Sequence, residues 1–455
     1  MATQVTGSVE RIGDIEHDSR RVGPSALFAC IPGENTDGHR HAEAAIAAGA
    51  VALLTQRPLD LGVPEIEVGS VRQAVGPAAS LIHGHPSRKM DVVGITGTNG
   101  KTTTVRLLAG VLRRLGTSVH EIGTLTGART TPEAPELQRE LAAALAGGDT
   151  AVAMEVSSHA LDLHRVDGTR FRVVAFTNLG MDHLDHHGTL EAYFDAKAML
   201  FTPEMADFAV INATSQAGEE LAKRCTVGST IIRRDSIEIL GSGPRTTSFR
   251  WRESTVDLPL GGAFNVANAV LAAEIAVALG HGVPEVAEAM AASKSVPGRF
   301  ESIEEGQDFT VIVDYAHTPD GLAAVLETAR QVTDGRLVVV FGAGGDRDRG
   351  KRPRMGEVAR RWADRVVVTT DNPRGENPLD IMAAIVSGME KPPELIEPDR
   401  RAAIRHALAG ARRGDLVLVA GKGHEATQTI GDQIIEFDDR QVVREELERR
   451  ERMTS

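Results

Sequence analysis

The sequence predicts an α/β protein made of three consecutive domains with largely parallel, helix-covered sheets. Three observations predict this. Short runs of aliphatic and β-branched residues alternate with helical segments along the 455-residue chain, the pattern of sheets covered by helices on both faces. A glycine-rich stretch, GITGTNGKTTT (94–104), follows one such run and opens a helix. A Pro-Gly pair in SKSVPGRF (293–300) separates a helical segment from a new strand, as a hinge between domains would.

The elements follow in order. Residues 1–89 hold ALFACI (26–31), a helical stretch HAEAAIAAGA (41–50) and VALLT (51–55), hence strand, helix, strand. Residues 90–296 open with the strand MDVVGIT (90–96). Further strands are expected at TAVAMEV (150–156), RVVAFTN (172–178) and DFAVINA (207–213). Residues 297–455 place strands at TVIVDYA (310–316), RLVVVFG (336–342), RVVVTTD (365–371) and DLVLVAG (415–421), a second doubly wound pattern. The tail VVREELERRERM (442–453) carries mixed charge and reads as a solvated helix.

Composition limits the function. The chain is 42% hydrophobic and 25% charged, as globular proteins are, with only 4% aromatic residues. A net charge of −13 argues against a general nucleic-acid binder, which needs a basic footprint. Cys30 and Cys225 show no metal-ligand spacing and read as reduced, structural thiols of a cytoplasmic protein. No apolar run approaches membrane-spanning length, and the N-terminal residues have no signal-peptide core.

The loop at 94–104 lacks the glycine that the general phosphate-loop pattern puts where Ile95 stands. Its context is still that of an anion site. Gly97 and Gly100 allow the backbone of Thr98 and Asn99 to turn N–H groups toward a phosphate. The helix that follows places Val105, Leu108, Leu112 and Leu115 on one face and adds the field of its N-terminus. Lys101 can reach terminal phosphates, and Thr102 or Thr103 can ligand Mg²⁺.

A second cluster supplies acids and imidazoles. Glu155, in MEVSSHAL (154–161), falls at a strand's C-terminal end, where α/β sites form. TNLGMDHLDHHGTLEAYFDAKAMLF (177–201) offers Asp182, His183, Asp185, His186, His187 and Lys197. Glu155 and His183 read as metal ligands, and His186 and His187 as a solvated turn. Periodicity alone does not distinguish Lys197 from a surface lysine.

GTNGKTT, MEVSSH, TNL..DHLD.HG and AYF.AKA.LF, in this order, resemble the central domain of the Mur ligase superfamily. The resemblance implies three domains: a UDP-binding domain, a central ATPase and a Rossmann-like amino-acid-binding domain. It implies ATP and Mg²⁺, with Thr102, Glu155, His183 and a carbamylated Lys197 at the metal. A carbamate is anionic and suits a divalent cation, which an ammonium would repel. GAFNVANAVLAA (262–273) with Asn265 and Asn268, and DYAHTPDGL (314–322) with Asp314 and His317, resemble the family's nucleotide-facing segments. DSRRV (18–22) with Ser19, and IPGENTDGH (31–39) with Glu34, Asn35 and Thr36, resemble its UDP-binding part. Thr130, Thr131, Ser157 and Arg165 match contacts to the sugar-peptide.

The acceptor is read from TTDNPRGENP (369–378). Asp371, Asn372, Pro373 and Arg374 resemble the motif of the branch that adds meso-diaminopimelate. A guanidinium at Arg374 can hold that molecule's second carboxylate through paired hydrogen bonds, whereas the ammonium of lysine would be repelled. Arg347 in GAGGDRDRGKRP (342–353), and Gly421 and Glu425 in AGKGHE (420–425), are further acceptor contacts by resemblance.

Departures fall mainly in the sugar-binding part: a short lead before DSR, His17 where leucine is usual, and Leu163 where some members have glutamine. The stretch before Thr130 is abbreviated, and residues 214–255 are compact. The activity implied is an ATP-dependent amide ligase of cytoplasmic peptidoglycan synthesis. It would act as a monomer on UDP-N-acetylmuramoyl-L-alanyl-D-glutamate and meso-diaminopimelate, without nucleic-acid or membrane partners. A lysine-adding or folate-type ligase and a catalytically silent nucleotide-binding protein are the alternatives. The first is opposed by DNPR, the second by the DSR section, and the third by an intact Lys101, Glu155, His183 and Lys197.

Overall fold

Runs of Val, Ile, Leu and Ala become the strands of three separate sheets in the computed structural model, which describes residues 2–9, 11–33 and 36–454. The first sheet has the spatial order Ala2–Thr6, Glu65–Val68, Ala50–Thr55, Ala26–Ala29, Asp14–Glu16. Its outer pair is antiparallel and the remaining pairs are parallel. The helix expected over 41–50 is shorter, Ala42–Ala47, because a 3₁₀ turn at Gly38–His41 leads into it and Ala50 already pairs with Ala26.

The second sheet is six-stranded and parallel throughout. Its order is Gly228–Ile232, Ala206–Asn212, Phe171–Phe176, Asp91–Thr96, Ala151–Glu155, Val119–Ile122. Asp91–Thr96 therefore lies between the strands that end at Glu155 and Phe176. The adjacent loops converge at the carboxyl ends, where open α/β sheets bind ligands. Val105, Leu108 and Leu112 of the helix Lys101–Arg114 are buried, with Leu115 partly buried beyond it, as their spacing predicted. That helix packs on Phe264–Ala278, whose alanine-rich surface allows close approach. Within and just beyond the compact stretch 214–255, Glu238–Ser242, Thr247–Trp251 and Ser254–Leu258 form a three-stranded antiparallel sheet. It covers one side of this core with Phe249 and Trp251.

The third sheet has the order Glu301–Ile303, Thr310–Asp314, Leu416–Ala420, Leu337–Phe341, Arg365–Thr369, Leu395–Glu397. Only Glu301–Ile303 is antiparallel to its neighbour. A hairpin, Thr427–Ile430 with Gln433–Glu436, projects after it. The tail corrects the sequence reading. Asp439–Thr454 is a helix, but Val442, Val443 and Leu447 are buried among Ala403, Ile404 and Ala407. Two adjacent valines and a leucine suffice to dock one face while the other remains charged. Among the described residues, no helix is long and apolar enough to cross a membrane.

Candidate active site

The loop after Asp91–Thr96 takes a conformation that only glycine tolerates at two points. Gly97 (φ 145°) leaves no room for a Cβ beside the Thr177 hydroxyl, and Gly100 (φ 86°) none beside the Asn268 amide. The loop is laced to the chain beyond Phe176. The Thr98 amide donates to the Asn178 carbonyl at 2.9 Å, the Asn99 amide to Asn178 Oδ1 at 3.0 Å, and Thr177 Oγ1 to the Asn99 carbonyl at 2.6 Å. Asn178 was missed in the sequence, where it is one polar residue ending a strand. Thr98 Oγ1 lies 3.0 Å from the hydroxyl of buried Tyr193.

Lys101, first in the helix, folds back on its loop and donates to the carbonyls of Gly97 (2.8 Å) and Thr98 (2.9 Å). Burial lowers its pKa, against the opposing pull of Glu155 and Asp182. Thr102 Oγ1 donates to Glu155 Oε1 at 3.0 Å, and the Thr124 amide donates to the same oxygen at 2.9 Å. Thr103 is buried one position on. Hydroxyl and carboxylate oxygens placed together are the donors that a hard cation such as Mg²⁺ prefers. The Arg299 guanidinium also donates to Thr102 Oγ1, at 3.0 Å, while lying over the Tyr315 ring. This arginine, just past the Pro-Gly pair, joins the third domain to the phosphate loop and was not among the expected site residues.

His183 has a left-handed backbone (φ 55°), and its Nε2 is 3.5 Å from Asp182 Oδ2. Burial, reinforced by Lys101 and Lys197 and opposed by Asp182, lowers its pKa to about 4, so the imidazole is neutral. Lys197 is 1% exposed, a buried lysine and not a surface one. Its Nζ donates to the Gly97 carbonyl at 3.0 Å and lies 4.2 Å from the Tyr193 ring centre. Burial first, and the neighbouring Lys101 second, hold its pKa well below the ordinary lysine value. His186 and His187 differ from the solvated turn expected. They are half-buried and pack with His159 and His183 in a cluster of four imidazoles.

Asn265 and Asn268 lie one helical turn apart and are buried. Asn265 donates to the Gly261 carbonyl at 2.7 Å, and Asn268 contacts Asn265 at 3.3 Å. Asp314 is buried, with its oxygens accepting from the amides of Phe300 and Ala316, both at 2.7 Å. Its carboxylate therefore fixes the entry to the third domain. His317 Nδ1 is 2.9 Å from the Tyr315 carbonyl, and burial lowers its pKa.

The sugar-peptide candidates divide. Thr131 Oγ1 donates to the Glu155 carbonyl at 2.9 Å and accepts from the Ser157 amide at 3.1 Å. Ser157 caps the short helix Ser158–Asp162, and Thr130 pairs with the Thr124 hydroxyl at 3.1 Å. Arg165 forms an ion pair with Glu133 at 2.9 Å. Ser19 lies in the turn after Asp14–Glu16, and Thr36 Oγ1 contacts His41 Nε2 at 2.9 Å. Glu34 and Asn35 lie outside the described residues.

In the third domain, Arg374 has φ 50° and donates from Nη1 to the Gly345 carbonyl at 2.8 Å. Arg347 and Arg374 both border Gly344, and the Pro373 carbonyl presses on Gly345. Asn372 Nδ2 donates to Glu425 Oε2 at 2.8 Å, and Asp371 lies against Gly421. Glu425, expected among the acceptor contacts, already has an ammonium beside it within the chain. Fully buried Lys422 lies 3.4 Å from Glu425 Oε2 and donates to the Thr427 carbonyl at 2.6 Å. The sequence reading passed over Lys422 because a lysine in a glycine-rich loop carries no sign of its burial.

Each part of the chain matches a domain of known proteins. Residues 11–88 match the catalytic domain of the Mur ligase family, 95–276 the Mur ligase middle domain, and 298–423 the Mur ligase glutamate ligase domain. The UDP-N-acetylmuramoyl-L-alanyl-D-glutamate–2,6-diaminopimelate ligase of Geobacillus kaustophilus is 42% identical, across 96% of this chain and 95% of its own. The ligase of the same name from Streptomyces coelicolor is 42% identical, across 97% and 94%. A solved structure of a ligase of that name is 32% identical and superimposes with a TM-score of 0.68, covering 97% of this chain and 95% of the other. With three family domains matched in succession and relatives 42% identical over nearly the full length, the chain belongs to the Mur ligase family.

Proposed function

We propose that this protein is the ATP-dependent ligase that joins meso-diaminopimelate to UDP-N-acetylmuramoyl-L-alanyl-D-glutamate in peptidoglycan precursor synthesis. The observation that carries the reading is the meeting of Lys101, Thr102 and Glu155 in a chain similar, almost end to end, to ligases bearing that substrate in their names. We assign residues 1–89 to the UDP-sugar, 90–296 to ATP and 297–455 to the amino acid. Free Cys30 and Cys225 suit a reducing cytoplasm, and we assign a monomer.

The chain's own groups perform the following work. The Thr98 and Asn99 amides, expected to face a phosphate, are taken by Asn178, so within the loop Gly97–Thr103 the amides at its helical end and the Lys101 ammonium, released from its carbonyls, hold the ATP phosphates in line with the substrate carboxylate. Asn265, Asn268, Asp314 and His317 line the nucleotide. Thr102, Glu155, His183 and carbamylated Lys197 would hold Mg²⁺, which would supply positive charge to offset that of the phosphoryl group in transfer.

A carboxylate oxygen of the substrate takes the γ-phosphoryl group, and ADP leaves. The acyl phosphate then has a good leaving group. Ser19, Glu34, Asn35, Thr36, Thr130, Thr131, Ser157 and Arg165 hold the sugar-peptide. Arg347, Asp371, Asn372, Pro373, Arg374, Gly421 and Glu425 hold the acceptor, whose neutral amine attacks the acyl carbon. The tetrahedral adduct loses phosphate and a proton to give the amide. Closure of the domains excludes water, which would otherwise hydrolyse the acyl phosphate.

The test is phosphate release from ATP with UDP-N-acetylmuramoyl-L-alanyl-D-glutamate, comparing meso-diaminopimelate with L-lysine. Release only with meso-diaminopimelate is expected. Equal release with lysine would overturn the acceptor assignment, and none with either would overturn the ligase reading.

A further inference from the structure

Asp162, His186 and His187 form a cluster of potential metal ligands that the ligase reaction leaves unused. Asp162 ends the short helix Ser158–Asp162, and the two histidines close the single turn Leu184–His187. Adjacent residues on a helix normally diverge. Here one potential ligand atom from each of the three side chains lies within 4.8 Å of the other two. Asp162 Oδ2 and His186 Nε2 are 2.8 Å apart, and His187 Nε2 is 2.9 Å from the Ser158 hydroxyl. The histidines are half-buried and Asp162 is exposed, so an ion has a path in from solvent.

We propose that Asp162, His186 and His187 form a binding site for a borderline transition-metal ion of the Zn²⁺ class, separate from the Mg²⁺ site of the reaction. Two imidazoles and one carboxylate suit Zn²⁺, whereas Mg²⁺ selects oxygen donors and keeps much of its water. Zn–N and Zn–O bonds of about 2.0–2.2 Å place ligand atoms a little over 3 Å apart. The Asp162–His186 pair needs only a slight opening to admit the ion, and small side-chain rotations bring in His187. The Ser158 hydroxyl or water would complete a tetrahedron.

The placement has a structural consequence. The His183 carbonyl accepts from the amides of His186 (3.2 Å) and His187 (3.0 Å), so an ion bridging these imidazoles to Asp162 would clamp the turn that carries His183.

The test is calorimetric titration of the full-length protein with Zn²⁺ under saturating Mg²⁺, with visible absorption of the Co²⁺ form to report the coordination number. The wild type is expected to take up one tightly held Zn²⁺ per chain, and His183→Ala to retain it. Asp162→Asn and His186→Asn should bind at least about tenfold more weakly, since even outer partners of a ligand are worth that much, while keeping wild-type melting and phosphate release in Mg²⁺ without added Zn²⁺. No uptake at micromolar Zn²⁺, unchanged affinity in both variants, or loss in His183→Ala alone would overturn the proposal. The last result would place the ion at the Mg²⁺ position.

Discussion

Lys101 and Lys197, distant in sequence, donate to one carbonyl oxygen, that of Gly97, at 2.8 and 3.0 Å. A buried ammonium and a half-buried one sharing one acceptor repel each other. The Lys197 pKa is depressed accordingly, by burial first and Lys101 second. For a base whose pKa falls on folding, the native state binds fewer protons than the unfolded chain. The stability contribution is present above the unfolded lysine value and is lost as pH falls through the lowered one. The neutral amine is also the form that captures CO₂.

Lys197→Ala should therefore lower turnover on the order of 10²–10³-fold, as loss of a charge-stabilising group does. Formate or acetate should restore part of the rate, read by phosphate release. Near-normal activity with no response to carboxylates would sink the carbamate role.

Two glycines separated by ten positions should behave in opposite ways. Gly100→Ala puts a Cβ into the Asn268 amide at a left-handed backbone position, so a loss of about 1–3 kcal/mol with weakened ATP binding is expected. Gly110→Ala, inside Lys101–Arg114 with open space around it, should gain about 0.5–1 kcal/mol. Denaturant melts of the two variants check both signs.

Arg374→Ala should raise KM for meso-diaminopimelate about 10–100-fold, the value of a charge-assisted hydrogen bond of roughly 1.5–3 kcal/mol. KM for ATP should hardly change, because Arg374 donates within the third domain, to the Gly345 carbonyl. Steady-state kinetics in each substrate separate these outcomes. An unchanged acceptor KM would remove Arg374 from recognition.

Arg400 and Asp439 form an ion pair with both side chains 0% exposed. The guanidinium also donates to the carbonyls of Thr370 and Ala420, at 2.9 Å each. Asp439→Ala would strand a buried cation and should cost about 3–5 kcal/mol, whereas the double variant Arg400→Met, Asp439→Leu should recover most of that. Urea unfolding measures both.

Acid should loosen the first domain near Glu16. Burial pushes the Glu16 carboxyl up, but His17, through both side chain and amide, and the Asp18 amide more than reverse this and set it at about 2. A lowered carboxylate pKa stabilises the fold above the unfolded value of 4.5 and ceases to do so as pH falls through about 2. Hydrogen exchange between pH 4.5 and 2 should show protection lost around Asp14–Glu16, and Glu16→Gln should flatten that dependence.

The parts of this molecule that are local in sequence were legible there. Val92 and Val93 announce a buried strand, and Gly97, Gly100 and Lys101 announce the loop, because strand and loop are each set by neighbouring residues. What could not be read depends on distant partners. The Arg400–Asp439 pair joins residues 39 positions apart, and nothing in either neighbourhood marks it as buried. Lys422 and Lys197 look like solvated lysines until the chain closes over them. The antiparallel strands at 238–258 were hidden because alternation over five residues, with Arg250 and Asp257 on the outer face, is too short a signal.

The segment that joins the second and third domains is short enough to act as a mechanical joint. Val296, 2% exposed, is seated in the core of the second domain. Gly298, two residues on, lies so close to the backbone of Gly423 and His424 that a Cβ would collide with it. Between these anchors stands Pro297, whose own φ is locked by its ring. Rotation of one body against the other is thus left to the ψ angles of Val296 and Pro297 and the φ of Gly298. Arg299 sits immediately beyond this axle, with its guanidinium on Thr102. A small turn of the axle would swing that side chain off Thr102 like a latch.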